Sequence, residues 1–137
     1  MSRRSGTLAV LAAVLLLSSS CVNRFGTGVT CEGVRQLALG MSTNDVRALI
    51  GDPIWVSPGN ECGIKDLPGE CWDFVDDGWL PASTRLIVEF DRSGLSKVSA
   101  YYKYLTSDRD TRLYDLSRAY GPKEGPEFTK YIPCRGA

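Results

Sequence analysis

Leu39-Gly40-Met41-Ser42-Thr43-Asn44-Asp45-Val46-Arg47-Ala48-Leu49-Ile50-Gly51-Asp52-Pro53 reads as one short helix with both ends specified by residue type. Ser42 offers a hydroxyl acceptor to the orphan amides of the first turn. Asp45, three residues on, can return a bond to the Ser42 amide, and its charge suits the positive end of the helix dipole. Val46, Leu49 and Ile50 recur at helical spacing and form an apolar stripe, with Asn44, Arg47 and Ala48 elsewhere on the surface. Gly51 supplies the left-handed residue that ends such a helix, and Pro53 stops it from continuing. So short a helix is marginal alone in water and must lay its stripe against the rest of the chain.

Upstream, Val34, Leu37 and Ala38 share a helical face, so residues 31–38 are expected to form a first helix that Gly40 ends. Two short helices with a one- or two-residue break imply a helical hairpin. Downstream the pattern changes to period two. Ile54-Trp55-Val56 starts a strand that Ser57-Pro58-Gly59-Asn60 closes. Trp72 and Phe74 alternate within a second strand, and Asp76-Asp77-Gly78 marks a turn. Leu86, Val88 and Phe90 face one way, with Arg85 and Glu89 opposite. After the turn Asp91-Arg92-Ser93-Gly94, Val98, Ala100, Tyr102 and Tyr104 alternate with Lys97, Ser99, Tyr101 and Lys103. Further on, Leu113, Leu116 and Tyr120 fit helical spacing. Residues 121–137 hold Pro122, Pro126 and Pro133 and read as a loop or short edge strand pinned by Cys134.

The expected fold is α+β: a two-layer sandwich with an N-terminal helical hairpin packed on a three- to four-stranded antiparallel sheet, and after it a C-terminal helix and a disulfide-tethered tail. One sheet face would lie on the core and the other in water.

The chain has 137 residues, and its first 20 read as an export signal: Arg3 and Arg4 give the positive start, and residues 8–17 are apolar. A helix of that apolar length rises only about 15 Å, roughly half the hydrocarbon core, so a permanent span is not expected. Ser18-Ser19-Ser20 then meets Cys21, an order that resembles the lipobox of bacterial lipoproteins, in which the cysteine is acylated and becomes residue one. Val22 instead of aspartate after that cysteine points, within this resemblance, to the outer membrane. Ordinary signal cleavage near Ser20 is the alternative. Residues 22–30 would be a linker reaching at most ~30 Å, which keeps a lipidated domain beside its membrane.

Acidic and basic residues number 16 each; without Arg3 and Arg4 the balance is 14 basic against 16 acidic, a net of −2. A nucleic-acid partner would need a clustered basic excess, which the chain lacks. Adsorption to anionic lipid is equally unsupported, so the membrane contact expected is the lipid on Cys21. Beyond that cysteine and its linker, residues 31–137 fit one domain with one modest core.

Four cysteines remain besides Cys21: Cys31, Cys62, Cys71 and Cys134. An even count in an exported chain argues for two disulfides. Of three connectivities the favoured one is Cys62–Cys71, closing a short polar loop, with Cys31–Cys134, tying the start of the folded region to its end. A four-cysteine zinc site is the alternative, but no pair shows the close spacing such sites use.

Gly40-Met41-Ser42, Asp45-Val46, Leu49-Ile50-Gly51 and Pro53, then Trp72-Asp73-Phe74 and Phe90-Asp91 with Gly94, resemble the SmpA/OmlA family of small outer-membrane lipoproteins, which includes the BamE-like proteins. The match covers about residues 33–102. The family implies a helix-helix-sheet fold of the β-lactamase-inhibitor-protein type, an address on the periplasmic side of the outer membrane, and a scaffolding role in the β-barrel assembly machine. The four cysteines and the segment after Tyr104 depart from the family pattern.

The chain has no histidine, which removes the usual general base near neutral pH and the commonest neutral metal ligand. Asp76-Asp77 is the single adjacent acidic pair; neighbours in an Asp-Asp-Gly turn point apart, and the spacing fails a calcium loop. The expectation is a non-catalytic protein without cofactor or metal that binds envelope proteins. An inhibitor-type module that blocks an enzyme is the alternative. Arg85, Lys97, Tyr101 and Lys103 share a strand face suited to a partner, since Tyr and Arg are frequent hot-spot residues; an ordinary solvated face is the competing reading. Trp72 is expected in the core, and Trp79, beside Pro81 in a loop, is a candidate anchor.

Overall fold

The computed structural model describes residues 28–76, 82–104 and 108–135. Residues 1–27, where the export signal and Cys21 are expected, lie outside them, as do Asp77 and Trp79. The chain begins with helix α1, Cys31–Arg35, and helix α2, Thr43–Ile50. The strands come next: β1 Trp55–Pro58, β2 Glu70–Asp76, β3 Ala82–Asp91, β4 Gly94–Tyr104, β5 Asp110–Ser117 and β6 Gly121–Glu124. A short helix α3, Phe128–Tyr131, comes last. The six strands form one antiparallel sheet in sequence order.

Helix α2 forms as its residue types require. The Ser42 hydroxyl accepts from the Asp45 amide at 3.2 Å, and the Asp45 carboxylate accepts from the Ser42 amide at 3.3 Å. Gly51 closes the helix at φ 83°, its amide donating to the Arg47 carbonyl. Val46 and Ile50 are buried on one sheet face, and Val34 of α1, Phe128 of α3 and Ile132 just after it join them there. The strands contribute Trp72, Phe74, Leu86, Val88, Val98, Ala100, Tyr114 and Leu116 to this core. Trp72, expected inside, is 1% exposed.

The expected architecture is wrong in three respects. First, the sheet has six strands instead of three or four. Second, the N-terminal helices are not a hairpin with a tight break. Helix α1 stops at Arg35, and the Gly40-Met41 backbone is used as a ladder partner instead: Gly40 donates to the Leu95 carbonyl and Leu95 to the Met41 carbonyl, both at 2.8 Å. The two motif-bearing stretches of the sequence thus meet at this point. Gly94 has to be glycine there, because it sits at φ 99° and an added Cβ would lie 2.6 Å from the Gly40 carbonyl oxygen.

Third, residues 113–120 are not a helix. They are the end of β5, a turn, and the approach to β6. The register shows why their spacing misled. Ala100 pairs with Tyr114 and Tyr101 with Arg112, so Leu113 is an extra residue in a β-bulge. Leu113, Tyr114 and Leu116 are all buried, which breaks the period of two and imitates a helical stripe.

Residues 121–137, read as a loop or edge strand, supply the edge strand β6 and then α3. Both edge strands carry a proline, Pro58 in β1 and Pro122 in β6, which removes an amide from the rim and blunts it against unwanted strand pairing. Cys31–Cys134 and Cys62–Cys71 are bonded, across sequence separations of 103 and 9, in the pairing favoured from the sequence.

Candidate functional site: the open face of the sheet

With the helices on one face, the other face of the sheet is left without a covering element among the described residues. Register places its side chains in rows across the strands. One row runs Trp55, Asp73, Ile87, Ser99, Asp115 and Lys123. A second holds Glu89, Lys97 and Ser117; a third holds Val75, Arg85, Tyr101 and Arg112. Lys103 lies opposite Asp110 beyond these. Six strands make this face ~24 Å wide at about 4.8 Å per interval.

Arg85, Lys97, Tyr101 and Lys103, read from the sequence as sharing a face, do share it. Arg85 and Tyr101 are direct register partners. Trp79 cannot be placed with them, since it lies outside the described residues. Sequence reading placed Ser99 on this face with Lys97 and Tyr101 but missed Ile87, Arg112, Asp115 and Trp55 as members of it. Ile87 has the right parity for it, between Arg85 and Glu89. Arg112 and Asp115 were hidden by the helical reading of β5, and only the bulge puts two residues three apart on one face.

Six charged side chains of this face are held in pairs, two of them across strands and one within β5. Arg85 bonds Asp73 through Nε at 2.9 Å and through Nη2; this carboxylate raises the guanidinium pKa still further above its ordinary value. Lys97 meets Glu89 at 3.1 Å, and Arg112 bonds Asp115. In each pair the cation is partly exposed to water and the carboxylate is mostly shielded. Pairs whose cation stays in water contribute little stability, about 1 kcal/mol or less each. Their effect is to hold long side chains in defined positions around a shallow depression of about 320 Å³. Ile87, Ser99 and Tyr101 line it together with the charged side chains of Glu89, Lys97, Asp110 and Arg112. The small Ser99 side chain makes the hollow. Apolar and aromatic groups inside a ring of fixed charges are the makeup of a protein contact surface.

A second apolar feature lies at the β1 edge. Ile54, Trp55, Val56 and Leu67 are exposed there, and the Trp55 ring belongs to the open-face row beside Asp73. A second depression of about 430 Å³, bordered by Arg112, Asp115, Tyr120 and Lys123, continues the face toward β6.

The groups whose protonation the fold shifts serve bracing contacts. Glu32 is held below its ordinary value of 4.5, first by the amide of Arg135. Glu124 is lowered by Arg35, which it meets at 2.7 Å, and Asp91 is lowered by the Ser93 hydroxyl. A carboxylate with a depressed folded pKa contributes stability that is full above its unfolded value and is lost as pH falls through the folded one. Both Glu32 and Glu124 tie α1 to the C-terminal segment. Acidification well below pH 4.5 should therefore loosen residues 124–135 ahead of the sheet. Hydrogen exchange at pH 3 should show faster exchange at Arg135 than at Leu95; equal change at both would contradict it.

Cys31, Glu32 and Cys134 bring three ligand-type atoms within 4.8 Å, but both sulfurs are bonded to each other and offer no thiolate to a metal. The zinc alternative fails for the same reason at Cys62 and Cys71. No helix of the described residues is long and apolar enough to cross a membrane. Compared with protein-family models, with curated proteins and with solved structures, the chain matches none.

Proposed function

We propose that this chain is a non-catalytic lipoprotein of the outer membrane, held by lipid on Cys21 on the periplasmic side, which acts by binding an envelope protein through the open face of its sheet. The single observation that carries the binding role is that face: Ile87, Ser99 and Tyr101 in a hollow, framed by the Asp73–Arg85, Glu89–Lys97 and Arg112–Asp115 pairs. Export and the anchor rest on residues 1–21. A role in outer-membrane protein assembly, with the β-barrel assembly machine among its partners, is what the SmpA/OmlA resemblance adds.

The test uses the tagged mature protein and intact envelopes. Ile87→Asp or Tyr101→Ala should lower recovery of the crosslinked partner at least tenfold, about 1.4 kcal/mol of binding, while the urea melt stays near that of the parent. Unchanged recovery, or no envelope partner for the parent, would sink the reading. Mass spectrometry of the membrane-bound protein tests the anchor: Cys21 should carry acyl chains.

The second reading is a module that blocks an enzyme. The exposed corner Ile54, Trp55, Val56 and Leu67 favours it, because a protruding apolar edge can enter a cleft. Inhibition of envelope hydrolases that Trp55→Ala abolishes and Ile87→Asp leaves intact would decide for it.

A further inference from the structure

Strand β1 contributes almost nothing to the core. Ile54, Trp55 and Val56 are 42%, 56% and 54% exposed. What holds the strand at the rim is backbone pairing with β2 over four residues. Two flanking bonds extend it: Ile54 to the Asp73 carbonyl at 2.9 Å and Gly59 to the Gly69 carbonyl at 2.7 Å. Among the described residues the covalent tie is the Cys62–Cys71 bond, which joins the loop after β1 to β2 itself, and Ile64 of the same loop packs beside Gly69. An edge strand that buries no side chains belongs to the low end of local stability. Its attachment depends on keeping its loop close.

We propose that Cys62–Cys71 is a reducible latch, and that its opening releases β1 and the adjoining loop from the sheet while the rest of the fold stays formed. Cys62 is exposed and Cys71 buried, so the accessible sulfur is Cys62 Sγ. A thiolate of a dithiol reductant attacks it and forms a mixed disulfide; Cys71 departs as a thiolate and takes a proton. The reductant's second thiol attacks its own sulfur in the mixed disulfide, freeing Cys62 as a second thiol and leaving the reductant as a disulfide. Two electrons and two protons pass to the protein. The other bond is shielded at Cys31, the fully buried first residue of α1, and its partner Cys134 is half-buried.

The released segment has defined ends. Pro53 precedes it, and Arg92 holds the far side: its amide donates to the Asp66 carbonyl at 3.2 Å, and its guanidinium donates to the Leu67 carbonyl at 2.6 Å. Residues 54–65 therefore move. Trp55 leaves the open face, and β2 becomes the edge of the sheet. The latch stands on the geometry of β1 and does not depend on what the open face binds.

The test treats the folded protein with graded dithiothreitol without denaturant, alkylates the free thiols, and reads hydrogen exchange on the same samples. Cys62 and Cys71 should be alkylated about tenfold faster than Cys31 and Cys134. In those molecules the Ile54 and Gly59 amides should lose at least ~tenfold protection, while Leu95 and Gly125 keep theirs. Cys62→Ser combined with Cys71→Ala should show the same exchange pattern without reductant. Reduction of Cys31–Cys134 first or in step overturns the latch. Unchanged protection at Ile54 and Gly59 also overturns it, as does loss of protection throughout the sheet.

Discussion

Replacing Cys31 and Cys134 together by alanine should lower the unfolding free energy by roughly 4–5 kcal/mol. The bond closes a ring across a sequence separation of 103, nearly the whole described chain, and so removes much of the freedom of the unfolded state. Small domains commonly have only about 5–15 kcal/mol in total, so the variant should be close to unfolding at physiological temperature. The folded-state contacts around the bond are satisfied without it. Cys31 donates its amide to the Pro133 carbonyl at 3.0 Å, Arg135 donates to Glu32 at 3.1 Å, and Arg35 grips Glu124. Phe128 and Ile132 remain in the core on the same segment. The loss should therefore arise from the unfolded chain more than from broken contacts. Urea melts of parent and variant measure it. A loss below about 1 kcal/mol would mean that the unfolded chain is already restrained. The shorter ring of Cys62–Cys71 should contribute less, nearer ~2–3 kcal/mol.

Trp72→Ala should cost about 3–5 kcal/mol. Trp72 heads the fully buried side chains by volume and is almost completely enclosed. Its ring lies 4.8 Å from that of Phe90, the Arg47 guanidinium sits 4.9 Å over it, and its Nε1 donates to Glu70 at 2.7 Å. Substitution opens a cavity between α2 and the sheet and strips Phe90, Arg47 and Glu70 of their contacts with the ring. Trp72→Phe, which keeps an aromatic ring but no N–H, should recover more than half of the loss. Urea melts followed by circular dichroism check both. A cost under about 1.5 kcal/mol for the alanine variant would show that α2 collapses into the space, and would make the packing of its stripe less decisive than the geometry indicates.

The strands β3 and β4 were legible because each keeps its period of two over most of its length: Leu86 and Val88, then Val98 and Ala100, are buried, and Arg85, Lys97 and Tyr101 turn the other way. The face bearing the candidate site was legible to that extent. Its far side was not, because Leu113 interrupts the alternation of β5 and Arg112 and Asp115 then carry a helical signature. The N-terminal hairpin was misread for a related reason. Gly40 was read as a break between helices, whereas its backbone, with that of Met41, completes a ladder with Leu95 from a strand more than fifty residues away. Nothing local to residues 36–42 announces that partner.

By itself the sequence determined the capped helix from Ser42 to Gly51, the alternating strands of the central hairpin and the even set of four cysteines, since capping, alternation and cysteine count are properties of near neighbours and of composition. Only the tertiary structure decided that the sheet has six strands, that a bulge at Leu113 keeps Arg112 and Asp115 on the open face, and that the edge strand β1 hangs from the sheet by its backbone and one disulfide. Those features depend on register between strands far apart in the chain, and register is set by which long-range pairing buries the most apolar surface, which no short window of residues specifies.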